Sequence, residues 1–149
     1  TKVSPTEMTA PLFTFYQQLA EVLAMKVGIG QRVWQAYQEQ NQPELHQISL
    51  EIQQLIPALE KLHHDHRTVW FQWYKPFGWE ILQLRYGGLI QRAQQAVWRL
   101  NAYLAGEVDA LPELEAPRLE FDGPWLLGDD TVGRNLFHGI YSASKLSDV

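Results

Sequence analysis

Residues 44–74 read ELHQISLEIQQLIPALEKLHHDHRTVWFQWY. Taken in alternate steps of three and four, they give Leu45, Ile48, Ile52, Leu55, Leu59, Leu62, His66, Val69 and Trp73. Only His66 in that series is not plainly apolar. Such a stripe runs along one side of an α-helix, and a helix needs it to bury that side along its length. Pro57 lies inside the stretch and is expected to remove one backbone hydrogen bond and bend the helix. Asn41-Gln42-Pro43 before it and Lys75-Pro76-Phe77-Gly78 after it read as breaks, because proline suits a first helical turn and rejects a helix interior.

The same spacing extends outward on both sides. Towards the C-terminus it gives Trp79, Leu82, Tyr86, Leu89, Ala93, Ala96, Leu100 and Tyr103, widened by Ile90, Val97 and Leu104, with Gly106 as a stop. Towards the N-terminus it gives Leu12, Phe15, Tyr16, Leu19, Leu23, Lys26, Gly30, Val33 and Tyr37. Lys26, Gly28 and Gly30 interrupt that third series, which we read as one helix with a weak middle. Thr1–Pro11 reads as a short lead-in holding two prolines. The expected fold is all-α: an up-down-up bundle of three long antiparallel helices, about 12–40, 44–74 and 79–105. An irregular, extended tail over 106–149 is expected to pack on it, making a single helical domain over 1–149. Gln17, Gln18, Gln35, Gln53, Gln54, Gln91, Gln94 and Gln95 read as solvated helix faces.

Composition narrows the function. The chain has 149 residues, 46% hydrophobic and 19% charged, which suits one folded core rather than a disordered segment. Its net charge of −5 argues against a nucleic-acid partner. It has no cysteine, so a disulfide framework, a thiolate zinc site and a cysteine nucleophile are all excluded. The sequence holds neither an apolar run of membrane-spanning length nor a leader-like apolar segment, so no membrane partner and a cytoplasmic location are expected. Residues 107–130 hold eight acids and a single base, Arg118, and read as a solvated acidic connection.

Several constellations could carry chemistry. His63-His64-Asp65-His66 resembles a metal cluster, and Glu60 with His63 has the Glu-x-x-His spacing of di-iron bundles. A second such motif is missing, so the ligand set is incomplete; no metal or other cofactor is expected. His66 is expected to be a buried, hydrogen-bonded histidine level with Tyr86 and near Leu19, with His63 and His64 at the rim. Lys26 could be a catalytic amine, but no substrate loop adjoins it. Asp129-Asp130 between glycines reads as a turn rather than an acid–base pair. Gly87-Gly88 lies in a helical pattern and reads as a place of close helix approach rather than a phosphate loop. Arg85, Arg92 and Arg99 recur every seven residues as a basic edge, open to acids of the tail or to another domain.

Trp70, Phe71, Trp73, Tyr74, Phe77 and Trp79 crowd around the second break. Seam spacing assigns Trp73 and Trp79 to the core. At least Phe71, Tyr74 or Phe77 is expected to stay exposed, unless the tail near Leu136 and Phe137 covers them. Exposed aromatics mark a partner surface or a sugar platform, and a protein partner is slightly favoured. Phe71, Tyr74, Lys75, Phe77 and Arg85 are therefore the candidate interface with another domain or subunit.

The run from Trp73 to Arg92, WYKPFGWEILQLRYGGLIQR, resembles the C-terminal region of bacterial family 20 glycoside hydrolases, exo-acting β-N-acetylhexosaminidases. Arg99-Leu100, Tyr103-Leu104, Gly106, Val108-Asp109, Leu111, Glu113-Leu114-Glu115 and Arg118-Leu119 continue the similarity. Leu19, Leu23, Lys26, Gly30, Arg32, Ala36-Tyr37 and Leu45 resemble its start; Asn135-Leu-Phe-His and Ser142-Ala-Ser resemble its end. Gln83 departs from the pattern, where an acid is expected. The resemblance implies a helical accessory domain following a (β/α)8 barrel. That barrel would carry the Asp–Glu pair for substrate-assisted hydrolysis, the acetamido group attacking and the Glu serving as general acid. A barrel needs at least roughly 200 residues, so this chain is expected to be non-catalytic. Thr1 in place of an initiator methionine fits a fragment of a longer enzyme. The implied partners are the catalytic barrel of the same polypeptide and a second copy, as a homodimer of the parent enzyme. A free-standing helical interaction module is the alternative, and a metal-dependent helical enzyme using His63 and His66 a weaker one.

Overall fold

The computed structural model describes residues 5–116, nearly all of the first of two units, Thr1–Leu114 and Glu115–Val149. Among the described residues there are helices and no strands: α1 Pro5–Lys26, α2 Ile29–Gln38, α3 Gln42–Trp73, α4 Trp79–Leu104 and the short α5 Pro112–Glu115. Most of the tail expected over 106–149, with Asp129-Asp130, Leu136 and Phe137, lies outside the described residues.

The central element is α3, 32 residues long and continuous through Pro57. Asn41 starts it: its side chain accepts from the Glu44 backbone N–H at 3.1 Å, and Pro43 occupies the first turn. α4 runs antiparallel to it. Ser49 near the start of α3 donates to Asn101 near the end of α4 at 2.8 Å, while His66 near the end of α3 meets Tyr86 near the start of α4 at 3.0 Å. α1 and α2 also run against α3. Phe15 stacks on His66 and Lys61 donates to Gln18, whereas Arg32 pairs with Glu44 and Glu51 farther up, so α2 takes over where α1 stops.

The helix expected over 12–40 is therefore two helices. The break is at Gly28, whose φ of +79° lies in the left-handed region open to glycine. The lead-in is helical too: α1 begins at Pro5 and carries Pro11 inside it. The phase of α1 also differs from expectation. Val22 and Gln18 are buried, whereas Leu23 and Tyr16 are exposed and Lys26 points to solvent. Gln18, expected on a solvated face, is buried because Lys61 supplies its hydrogen bond. Gly87 and Gly88 do not mark a close approach, since a Cβ on either would meet nothing within 4 Å.

Two apolar clusters form the core. Ala36, Leu45, Ile48, Ile52, Leu100 and Leu111 make one, at the end where α3 begins. Val22, Leu55, Leu59 and Leu62 make the other, with Phe15, Leu19, Tyr86, Leu89 and Ile90 packed against them. Leu111 comes from beyond α4 and is held by its backbone N–H donating to the Tyr37 hydroxyl at 3.1 Å.

Candidate functional site

The second end of the bundle is built from the last turns of α3, the connection 74–78, the first turns of α4 and the adjoining part of α1. Trp79 is buried there as the first residue of α4. Its ring stacks on His63 with centroids 5.5 Å apart and planes 9° from parallel, and meets His66 edge-on at 5.5 Å. Trp70 lies 5.8 Å from Trp79, and its indole N–H donates to the Lys75 carbonyl at 2.9 Å, which fixes the path of the connection. Gly78 has a φ of +92° and sits under Trp70, where a Cβ would be 3.6 Å from the ring. Its backbone N–H donates to Glu80 at 2.8 Å.

His66 is half-buried, hydrogen-bonded through Nδ1 to the Tyr86 hydroxyl and stacked on Phe15, level with Tyr86 as the sequence implied. Burial, and then the neighbouring His63, hold its pKa below the ordinary imidazole value. Burial alone raises that of Tyr86. His63 is not at the rim. It packs between Trp79 and Tyr86, its Nε2 is buried without a partner, and burial followed by the charges of Arg67 and His64 lowers its pKa. Trp79 Nε1 is likewise buried and unpartnered among the described residues. His64 alone of the three stays at the exposed edge, 3.3 Å from Asp65. Burial pushes the Asp65 carboxyl up, but hydrogen bonds from Lys61 and His64 outweigh it and leave its pKa lowered. With one histidine stacked on Trp79 and the other bonded to Tyr86, the pair is engaged with rings. Among the described residues no group of three or more His, Asp or Glu is placed to hold a metal ion.

The surface of this end is aromatic. Phe71, Tyr74 and Phe77 are exposed, Phe77 by 84%. Phe71 touches Trp79 edge-on at 5.9 Å and Tyr74 lies 4.9 Å from Trp70, so both are anchored rings with a free face. Lys75, next after Tyr74, is exposed, and Arg85 is exposed on α4 about 9 Å of helical rise beyond Trp79. Trp73, assigned by spacing to the core, is exposed instead. It is the last residue of α3, and Trp79 packs on His63, His66 and Trp70 rather than over it. Arg99, the last of the basic series, pairs with Glu113 at 2.7 Å, which raises the pKa of the arginine and lowers that of the acid.

A groove of about 450 Å³ between α1 and α3 is lined by Ala10, Pro11, Thr14, His64, Asp65 and Thr68. Its polar groups are already engaged: Thr14 and Thr68 donate to backbone carbonyls four residues back, and Asp65 is bound by Lys61 and His64. This end thus exposes the rings of Phe71, Tyr74 and Phe77 together with Lys75.

A family model described as the Glycoside Hydrolase 20C C-terminal domain matches residues 1–128. The chain belongs to that family. The match covers all five helices and the aromatic end. A comparison with curated proteins finds no match. The helical architecture is thus that of a glycoside hydrolase C-terminal domain, and no helix of the described residues is long and apolar enough to cross a membrane.

Proposed function

We propose that this chain is the non-catalytic accessory domain of a β-N-acetylhexosaminidase-type glycoside hydrolase, an enzyme that removes terminal N-acetylhexosamine residues. It docks on the catalytic barrel of its own polypeptide through the aromatic end and serves as the enzyme's pairing domain. The observation that carries this reading is where the aromatic end lies. α1 runs against α3, so the first turns of α1 reach the end formed by Phe71, Tyr74 and Phe77. α1 therefore begins at the end of the bundle that carries these rings. A C-terminal domain has its catalytic partner on that side of the chain. Burying two such rings removes about 200 to 300 Å² of apolar surface, worth roughly 5 to 7 kcal/mol before association costs. Lys75 and Arg85 at the rim supply charges for orientation.

The test is Phe71→Ser with Phe77→Ser in the full-length enzyme. Phe77 is 84% exposed and Phe71 about half exposed against Trp79, so the isolated chain carrying both changes is melted alongside as the control for the bundle's own stability. The expected result is a lower melting temperature for the whole enzyme and faster proteolytic separation of the two domains. Unchanged melting and unchanged cleavage would place the docking surface elsewhere. The isolated chain is expected to release no chromogenic aglycone from an N-acetylglucosaminide.

A further inference from the structure

This chain has no cysteine, so indole and phenol are the side chains that give up a single electron most readily. At the aromatic end they stand in series. Buried Trp79 has its ring centroid 5.8 Å from that of Trp70, and Trp70 is 4.9 Å from Tyr74, which is 64% exposed. The order runs from the core to water. Neither indole can shed its proton easily once it has lost an electron. Trp79 Nε1 is buried without an acceptor among the described residues, and the Trp70 N–H faces the Lys75 carbonyl, a very weak base. An indole radical cation that keeps its proton stays strongly oxidising. The Tyr74 phenol, open to water, loses its proton together with its electron, so oxidation comes to rest there. Tyr86 is a poorer terminus. It lies against the imidazoles of His63 and His66 at 5.1 and 5.9 Å, and imidazole is harder to oxidise than indole. Its hydroxyl is bonded to His66 Nδ1, and burial makes that imidazole a weaker base than one in water.

We propose that Trp79, Trp70 and Tyr74 form a relay that carries one-electron oxidation out of the core, and that Tyr74 is the side chain at which it ends and is modified. The oxidant is a one-electron radical, such as the azide, carbonate or nitrogen dioxide radical. It takes one electron from an indole and leaves as its anion. The oxidised Trp70 then takes one electron from Tyr74, the phenolic proton passes to water, and a neutral phenoxyl radical remains. A thiolate returns the electron and becomes a thiyl radical, while water supplies the proton. With no cysteine in the chain, that thiolate comes from solution. Nitrogen dioxide meets the phenoxyl differently. A carbon–nitrogen bond forms ortho to the oxygen, the ring proton at that carbon moves to the oxygen, and ortho-nitrotyrosine results. Either route spares Trp79, on which His63, His66, Trp70 and Phe71 are packed. Phe71 and Phe77 take no part, because a benzene ring holds its electrons far more tightly. The relay and the docking reading therefore stand on different rings.

Azide radicals made by pulse radiolysis oxidise tryptophan in preference to tyrosine, and the indole-radical and phenoxyl absorptions are followed separately in time. In the 149-residue chain the indole-radical signal is expected to decay into a phenoxyl signal at a rate independent of protein concentration. Tyr74→Phe should remove most of that growth and prolong the indole radical. Its circular dichroism should be unchanged, since Tyr74 is exposed. Tyr16→Phe is the control: Tyr16 is 56% exposed, but its ring partner is Phe15, so the growth should stay as it was. Trp70→Phe should slow the growth by removing the middle of the relay. Under nitrogen dioxide, mass mapping should find Tyr74 nitrated well ahead of Tyr16. Phenoxyl growth undiminished in Tyr74→Phe, lost in Tyr86→Phe, or proportional to protein concentration would overturn the proposal. So would an unaltered rate in Trp70→Phe, or equal nitration of Tyr16 and Tyr74.

Discussion

The two ends of the bundle solve the same packing problem with different residues. At the end where α3 begins, the filling is aliphatic: Ala36, Leu45, Ile48, Ile52 and Leu100, closed by Leu111. The polar groups there are matched. Ser49 meets Asn101, the Leu111 N–H meets Tyr37, and Arg32 reaches Glu44 and Glu51 at 2.7 and 2.6 Å. At the other end the filling is aromatic, two buried nitrogens lack partners among the described residues, and Phe71, Trp73, Tyr74 and Phe77 remain outside. Branched aliphatic side chains interdigitate in the narrow space between helices, whereas rings at a helix end run out of opposing surface. Within the described residues, one end is closed by Leu111 and the other leaves anchored rings exposed.

The largest expected effect breaks the closed end. Leu45 is fully buried, and Leu45→Ala should cost about 2 to 5 kcal/mol, read as a lower denaturant midpoint. At the aromatic end, His66→Leu keeps shape and burial but leaves the Tyr86 hydroxyl without its partner. It should cost less than about 2 kcal/mol in the same measurement. A cost matching that of Leu45→Ala would mean that both ends are equally optimised. Arg32→Ala removes a bridge whose members are each about a third or more exposed, so about 1 kcal/mol or less is expected, diminishing with salt.

The smallest effect concerns pH. An unfolded imidazole titrates near about 6.5, and burial holds His63 and His66 below that in the fold. As pH falls below about 6.5 the unfolded chain binds protons first, so stability declines. The decline stops growing below the folded values. Melting followed between about pH 7 and 5 should fall less steeply in His63→Phe, which keeps a ring against Trp79 and removes the titration. An unaltered slope would locate the pH dependence away from the aromatic end.

α3 was legible almost throughout, because its neighbours cover one side along most of its length. Leu45, Ile48, Ile52, Leu55, Leu59, Leu62 and Val69 are all buried as the spacing implied. α1 was not. Its two stripes share a period, and the series from Leu12 to Lys26 mixes them, taking Phe15 and Leu19 from the buried one and Tyr16 and Leu23 from the exposed one. The smaller residues of the buried face, Val22 and the polar Gln18, carried too weak an apolar signal to fix the phase. At the aromatic end, the exposure of Phe71, Tyr74 and Phe77 followed from their crowding. The burial of His63 did not, because it depends on Trp79 folding back along α3.

Local sequence sufficed for α3 and α4, for the antiparallel order of the bundle and for the breaks near Asn41 and Gly78, but not for the division of α1 from α2 at Gly28. Those features are local, set by apolar period, proline and caps, and they need no knowledge of what lies opposite. The family was legible from the run after Trp73 for the same reason, since a motif is a property of the chain alone. Only the tertiary structure decided which stripe of α1 meets α3, which nitrogens are stranded in the core, that Leu111 closes the far end, and that Trp73 is left outside. Each depends on which surface happens to face which across the bundle. Burial is a relation between two elements, and periodicity describes only one of them.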